Sequence, residues 1–122
     1  MKYIAISQPG GPEVLQIREG EIPTIGEHEV LIEVKAAGVN RPDILQRQGL
    51  YPMPEGVTPV PGLEVAGVVV KVGAQVAAFA TGDRVCALTN GGGLREALAK
   101  GDISKKSLLA VFPFGNTVAT ID

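Results

Sequence analysis

Glycine and proline punctuate the first ninety residues so closely that no long helix fits between them. The chain carries 16 Gly and 9 Pro in 122 residues, and the intervals between them show period-two rather than helical patterning. Residues 3–7 alternate and run into Gln8-Pro9-Gly10-Gly11-Pro12, a strong turn. Residues 14–18 form a second short run, and a loop with Pro23 and Gly26 follows. In residues 30–36, Val30, Ile32 and Val34 point one way and Leu31, Glu33 and Lys35 the other. Pro42 suits the first turn of a short helix over 43–48 that Gly49 stops. A rigid loop with Pro52, Pro54, Gly56, Pro59 and Pro61 leads to the longest β-rich run, 63–72, where Gly67 predicts a bulge or bend. Gly82-Asp83 turns into a last strand over 84–88. Short strands at this spacing predict a mainly β fold, a small barrel or sandwich.

The period changes after Gly93. Leu94, Ala97 and Leu98 fall on one helical face and Gly101 stands where that helix would end. Asp102 is placed to cap a second helix, 103 to about 111, which Phe112-Pro113-Phe114-Gly115-Asn116 breaks, and 117–121 alternates as a strand. A strand at the very end, with nothing after it to pair with, predicts a truncated domain. This C-terminal piece reads as an α/β appendage.

Composition removes several function classes. The formal charge is −2 with both signs interspersed, and no basic run is offered to nucleic acid. The longest apolar runs, such as 65–70, are far too short to span a bilayer. Met1-Lys2 leads directly into a strand with no secretory signal pattern, and a cytoplasmic location is expected. The single cysteine, Cys86, has no partner for an internal disulfide and reads as a small buried hydrophobe. The single histidine, His28, lies in a polar loop and reads as solvated.

Six segments now occur in order: residues 8–15, 29–34, Gly38-Val39-Asn40-Arg41-Pro42-Asp43, 46–49, Pro61-Gly62-Leu63-Glu64-Val65-Ala66-Gly67 and Gly82-Asp83-Arg84-Val85. Through them, residues 1–93 resemble the GroES-like N-terminal domain of medium-chain dehydrogenase/reductases, and within these the zinc-independent NADPH quinone oxidoreductases. The resemblance implies a distorted β-barrel with short helices. It implies that Asn40 and Tyr51 line the pocket near nicotinamide and quinone, as the catalytic candidates. Asn40 offers a donor and an acceptor and Tyr51 a phenol. Equally, Asn40 stands where it could cap the helix at 43–48, and Tyr51 where it could be loop packing. Asp43 and Glu64 read as residues that hold loops together. Zinc members of the superfamily have Cys and His where Asn40 and Leu63 stand, so no metal site is expected. NADPH is the cofactor by resemblance. The Gly-rich βα turn of a dinucleotide domain is absent, since Gly91-Gly92-Gly93 is not GxGxxG, and NADPH binding and activity by this chain alone are not expected.

Asn90-Gly91-Gly92-Gly93-Leu94-Arg95, Gly101-Asp102-Ile103-Ser104 and Pro113-Phe114-Gly115-Asn116-Thr117 carry a second resemblance. Residues 89–122 resemble part of the 5′-nucleotidase C-terminal domain, which implies nucleoside contacts from Arg95, Phe114 and Asn116. Against that, Phe112 and Phe114 would simply fill core. The two resemblances overlap at residues 89–93 and suggest a chimera: a truncated oxidoreductase domain, 1–93, completed or extended by a nucleotidase-like fragment, 94–122. The readings that follow are a quinone oxidoreductase-like protein, a folded scaffold without catalysis that self-associates as a homodimer or domain-swapped oligomer, and a nucleoside-binding fragment.

Overall fold

The structure, a computed structural model, describes residues 1–100, with side chains through Glu96. The elements are β1 (Lys2–Ile6), a 3-10 turn (Pro12–Val14), β2 (Leu15–Glu19), β3 (Val30–Ala37), α1 (Arg41–Arg47), β4 (Glu64–Val72), β5 (Arg84–Leu88) and β6 (Ala97–Lys100). β1 and β2 form an antiparallel pair, in register from Lys2 with Glu19 to Ile6 with Leu15. The other four strands form one antiparallel sheet in the order β5-β4-β3-β6.

The alternation in β3 becomes the core. Val30 and Ile32 are fully buried, with Val65, Val69, Val85 and Ala87 from β4 and β5, and Val34, Phe79 and Leu94 pack against them. Each fully buried valine or isoleucine of this cluster contributes about 1.5–3 kcal/mol through removal from water. Leu31, on the opposite face, is buried as well. Two irregularities bend the β3–β4 ladder. One makes Val70 the extra residue on β4, between the pairs Leu31–Lys71 and Ile32–Val69. The other makes Lys35 the extra residue on β3, next to Gly67. The bulge expected at Gly67 therefore lies on the strand across from it. A Cβ on Gly67 would run into the Glu33 carbonyl oxygen, so close approach of the two backbones requires glycine there.

Residues 94–100 correct the helix expected from Leu94, Ala97 and Leu98. The Ile4 amide donates to the Leu94 carbonyl at 2.9 Å, and the Glu96 amide donates to the Lys2 carbonyl at 3.0 Å. The Val34 amide then donates to the Glu96 carbonyl at 2.8 Å, and β6 continues along β3 from Glu33–Ala97 to Val30–Lys100. The segment thus leaves β1 and joins β3 at Glu96, tying the two sheets together. Seven residues hold less than two helical turns, and isolated helices that short are unstable in water. An open β3 edge offers backbone partners that override the local pattern. The helix expected at 103–111, the strand at 117–121, and Phe114 and Asn116 lie outside the described residues.

Candidate functional site

The site is built where α1 meets the start of β4. Asn40 is the N-cap of α1 in extended conformation, Pro42 sits in the first turn, and Asp43 occupies N3. The Asp43 carboxylate is only 6% exposed. It accepts from the Asn40 backbone amide and from the Gly62 amide, each at 2.8 Å. The first contact is the reciprocal arm of a capping box. Thr89, the residue after β5, grips the same loop: its hydroxyl donates to the Gly62 carbonyl at 3.0 Å and its amide to the Leu63 carbonyl at 2.8 Å. Gly62 itself has φ +106, and a Cβ there would lie 2.6 Å from the Leu94 nitrogen. Asp43 therefore holds a loop, as its residue type suggested. The clamp that Gly62 and Thr89 complete has no signature in the sequence, because Thr89 comes from 27 residues away.

Asn40 turns its side chain to β4, donating from Nδ2 to Glu64 Oε1 at 2.9 Å. Gly38 lacks a Cβ just where one would strike the Glu64 carboxylate. The cap and the Glu64 contact thus coexist in one residue, and the second Nδ2 proton remains to be offered outward. Beside this amide and the exposed Glu64 carboxylate stand two exposed apolar side chains. Val39, the preceding residue, is 68% exposed, and Leu88, paired with Glu64 across β4–β5, is 54% exposed. Tyr51 is also exposed, on the loop past Gly49 at the other end of α1. Seven helical residues rise about 10 Å, so Asn40 and Tyr51 flank the helix rather than meet.

The residues at the zinc-ligand positions are an amide and a hydrocarbon, Asn40 and Leu63, a donor set that does not suit zinc. Among the described residues no three His, Cys, Asp or Glu side chains gather. His28 is exposed, and Cys86 is half-buried in β5 opposite Ala66. Burial, reinforced by the nearby Glu64 carboxylate, pushes the Cys86 thiol above its ordinary value.

The glycine run is a packing joint. Gly91 and Gly92 take φ of +99 and +83. The amides of Gly92, Gly93 and Leu94 donate to the carbonyls of Val60, Gly62 and Pro61 at 2.7, 3.1 and 2.9 Å. With those donors engaged, the run does not fit a dinucleotide's phosphates.

Arg95 is turned inward. Its Nη2 donates to Thr58 Oγ1 at 2.9 Å, and the guanidinium lies over Gly92, where a Cβ would be 3.0 Å from Nη2. Its Nε is buried without a hydrogen-bond partner. Burial pulls the guanidinium below its ordinary value, with Tyr3 opposing. Of the three residues expected to touch a nucleoside, Arg95 alone is placed, and its guanidinium is engaged by the chain's own loop.

The alcohol dehydrogenase GroES-like domain pattern matches residues 26–116, running through the glycine run and beyond it. The chain is 43% identical to the quinone oxidoreductase of Lama guanicoe over 102 residues, covering 81% of this chain and 31% of that protein. It is 41% identical to the quinone oxidoreductase of Homo sapiens over 86 residues, covering 70% and 26%. Among solved structures, the human synaptic vesicle membrane protein VAT-1 homolog-like protein superposes with a TM-score of 0.83 at 28% identity, over 95% of this chain and 37% of that one. The Escherichia coli quinone oxidoreductase complexed with NADPH superposes at 0.77 with 34% identity, over 93% and 33%. The chain spans about a third of the length of these relatives. Its mainly β fold is the fold class expected. No helix among the described residues is long and apolar enough to cross a membrane.

Proposed function

The chain belongs to the alcohol dehydrogenase GroES-like domain family, and from that premise we propose that it is a quinone oxidoreductase-type domain that supplies the quinone-facing groups of the reaction. The observation that carries this reading is the Asn40 amide, fixed by the α1 cap and by Glu64 and bordered by exposed Val39 and Leu88. A flat, weakly polar ring with carbonyl acceptors suits such a surface. The apolar side chains cover the ring, and the Nδ2 proton meets a carbonyl oxygen that gains negative charge on reduction. Tyr51, past the other end of α1, supplies a second donor for a larger quinone. NADPH is bound in one solved relative, but here the amides of Gly92, Gly93 and Leu94 are already engaged. The reductant's site is assigned to residues other than these.

Titration of the 122-residue chain with a soluble naphthoquinone, followed by amide NMR, tests the reading. The Asn40 side-chain amide and the Tyr51 region should shift together, and Asn40→Ala should weaken binding about fivefold or more, the worth of one hydrogen bond. Quinone binding that leaves Asn40 unperturbed, or no saturable binding, would overturn it. NADPH oxidation with the same quinone should not exceed that of the chain-free mixture. Turnover that Asn40→Ala abolishes would instead place the reductant's site on this chain too.

A further inference from the structure

The β1–β2 pair has an open edge on β2, and the register assigns its hydrogen-bonding groups one by one. The Gly20 amide donates to the Met1 carbonyl at 2.9 Å and the Met1 ammonium to the Gly20 carbonyl at 2.6 Å. At the other end the Ser7 amide donates to the Val14 carbonyl at 3.0 Å. Between them, Tyr3–Arg18 and Ala5–Gln16 are therefore the pairs that exchange hydrogen bonds, and Lys2–Glu19, Ile4–Ile17 and Ile6–Leu15 are the pairs that do not. The outer edge of β1 agrees, since its Lys2 carbonyl and Ile4 amide go to Glu96 and Leu94. Leu15, Ile17 and Glu19 thus turn their amides and carbonyls away from β1. Of these groups only the Leu15 amide has a partner among the described residues, the Pro12 carbonyl. Residues 15–22 are all exposed, so no described segment covers the edge. Ile17, at its centre, is the most exposed large apolar side chain among the described residues, at 72%.

We propose that β2 pairs antiparallel with β2 of a second copy of this chain, with the twofold axis at Ile17. In that register the two Ile17 residues exchange both their hydrogen bonds, and each Glu19 amide donates to the Leu15 carbonyl of the other copy. The one outward donor left over, the Leu15 amide, already serves Pro12. The side chains fit the same register. On one face Ile4, Ile17 and their two counterparts form a row of four isoleucines across four strands. Ile4 and Ile17 line one cleft with Val34 and Leu94, so the row extends an apolar surface. On the other face each Arg18 stands opposite Gln16 of the other copy, and the two groups already bond within one strand, Nη2 to Oε1 at 2.9 Å. Sliding the strands by two residues one way sets Arg18 opposite Arg18. Sliding them the other way leaves two hydrogen bonds instead of four, because the Leu15 amide is taken. The edge is its own complement in a single register, which selects a second copy as its partner. Two strands become four, and a sheet of three or more with an apolar face is the size that holds in water. The paired area is small, so the dimer belongs to the weak, reversible class.

The test is sedimentation of the full chain from about 10 μM to about 1 mM. The mass should rise from 12.7 kDa towards twice that value. In a mixture of labelled and unlabelled chains, NMR should show an intermolecular contact between the Hα atoms of Gln16 and Arg18, the close pair of this register. Ile17→Lys places two ammonium groups at the axis and should weaken the dimer about tenfold or more. Gln16→Glu covers the case in which that variant does not fold. It sets a carboxylate opposite each Arg18 and should tighten the dimer about threefold, whereas the register with Gln16 opposite Gln16 would be weakened by it. A mass of 12.7 kDa throughout, a dimer indifferent to Ile17→Lys or weakened by Gln16→Glu, or intermolecular contacts that fall elsewhere would each overturn the proposal. So would Ile17 and Glu19 amides bonded to residues 101–122 of their own chain. The edge shares no residue with the Asn40 surface, so either reading can fail without the other.

Discussion

At the scale of single residues, legibility followed sequence distance. Asn40, Pro42 and Asp43 sit within four positions, and cap chemistry is local, so the helix start and the loop-holding role of Asp43 were readable from the chain. Arg95 was not. Its environment is Thr58, 37 residues away, and the Tyr3 strand, and no local pattern announces that a guanidinium will be folded inward. Cys86 lies between these cases: its apolar strand pointed to burial, and it is half-buried, but the Glu64 carboxylate that acts on it comes from the neighbouring strand. Both causes favour the neutral thiol in the folded chain. The folded value is raised, so the protonated form's contribution to stability is complete below the unfolded thiol's ordinary value and is lost as pH rises through the folded one. Two outcomes are expected. The rate of Cys86 alkylation by iodoacetamide should rise at a higher pH than that of a cysteine in an unstructured peptide. Stability to urea should decline over the same alkaline window in the native chain and less so in Cys86→Ala. An alkylation profile matching or lying below the free peptide's would show that burial and Glu64 do not govern this thiol.

At the scale of elements, β1 to β5 were legible because Gly and Pro bound runs of clear alternation. The final strand, 84–88, coincides with β5, and the others agree to within a residue or two. Residues 94–100 were misread because Leu, Arg, Glu, Ala and Lys are all good helix formers, and three apolar positions match a helical face by chance. What decides their conformation is the unpaired edge of β3 beside the β1 carbonyls, which no single segment displays. The hydrogen bonds of this strand serve the sheet whatever the ancestry of residues 94–122. Glu96 is the position to test. Its amide donates to Lys2 and its carbonyl accepts from Val34, whereas in a helix starting at Leu94 it would lie in the first turn, where an amide has no helical partner and proline is tolerated. Glu96→Pro should therefore destabilise the chain, by about 2–3 kcal/mol from the lost ladder bond and the restricted backbone, read from urea midpoints. A neutral result would favour the helix.

At the scale of the whole molecule, the β1–β2 pair and the four-stranded sheet are separate sheets. A two-stranded pair alone is marginal in water, so β1–β2 persists only through what joins it to the rest. Among the described residues the joining backbone bonds are those of Leu94 and Glu96 to β1 and of Glu96 to β3, supported by the bridge between Tyr3 and Arg95, and, in the connection between β1 and β2, that of the Gly10 amide to the Arg47 carbonyl of α1 at 3.0 Å. That wiring predicts one cooperative unit rather than two. In native-state hydrogen exchange, the Ile4 amide, bonded to Leu94, and the Val69 amide, bonded to Asp83 at 2.8 Å inside the core, should report similar opening free energies near the global value. Glu96→Pro should split them, with Ile4 exchanging through a cheaper opening while Val69 stays close to the stability of the remaining sheet. If Ile4 already exchanges far faster than Val69 in the unmodified chain, the two sheets are independently stable units, and residues 94–96 merely lie against β1. If the two amides still open together in the variant, the connection runs instead through the Gly10–Arg47 contacts or through the side-chain packing of Leu94 on the Val30–Val85 core. Leu94→Ala would produce the split in the second case and not in the first.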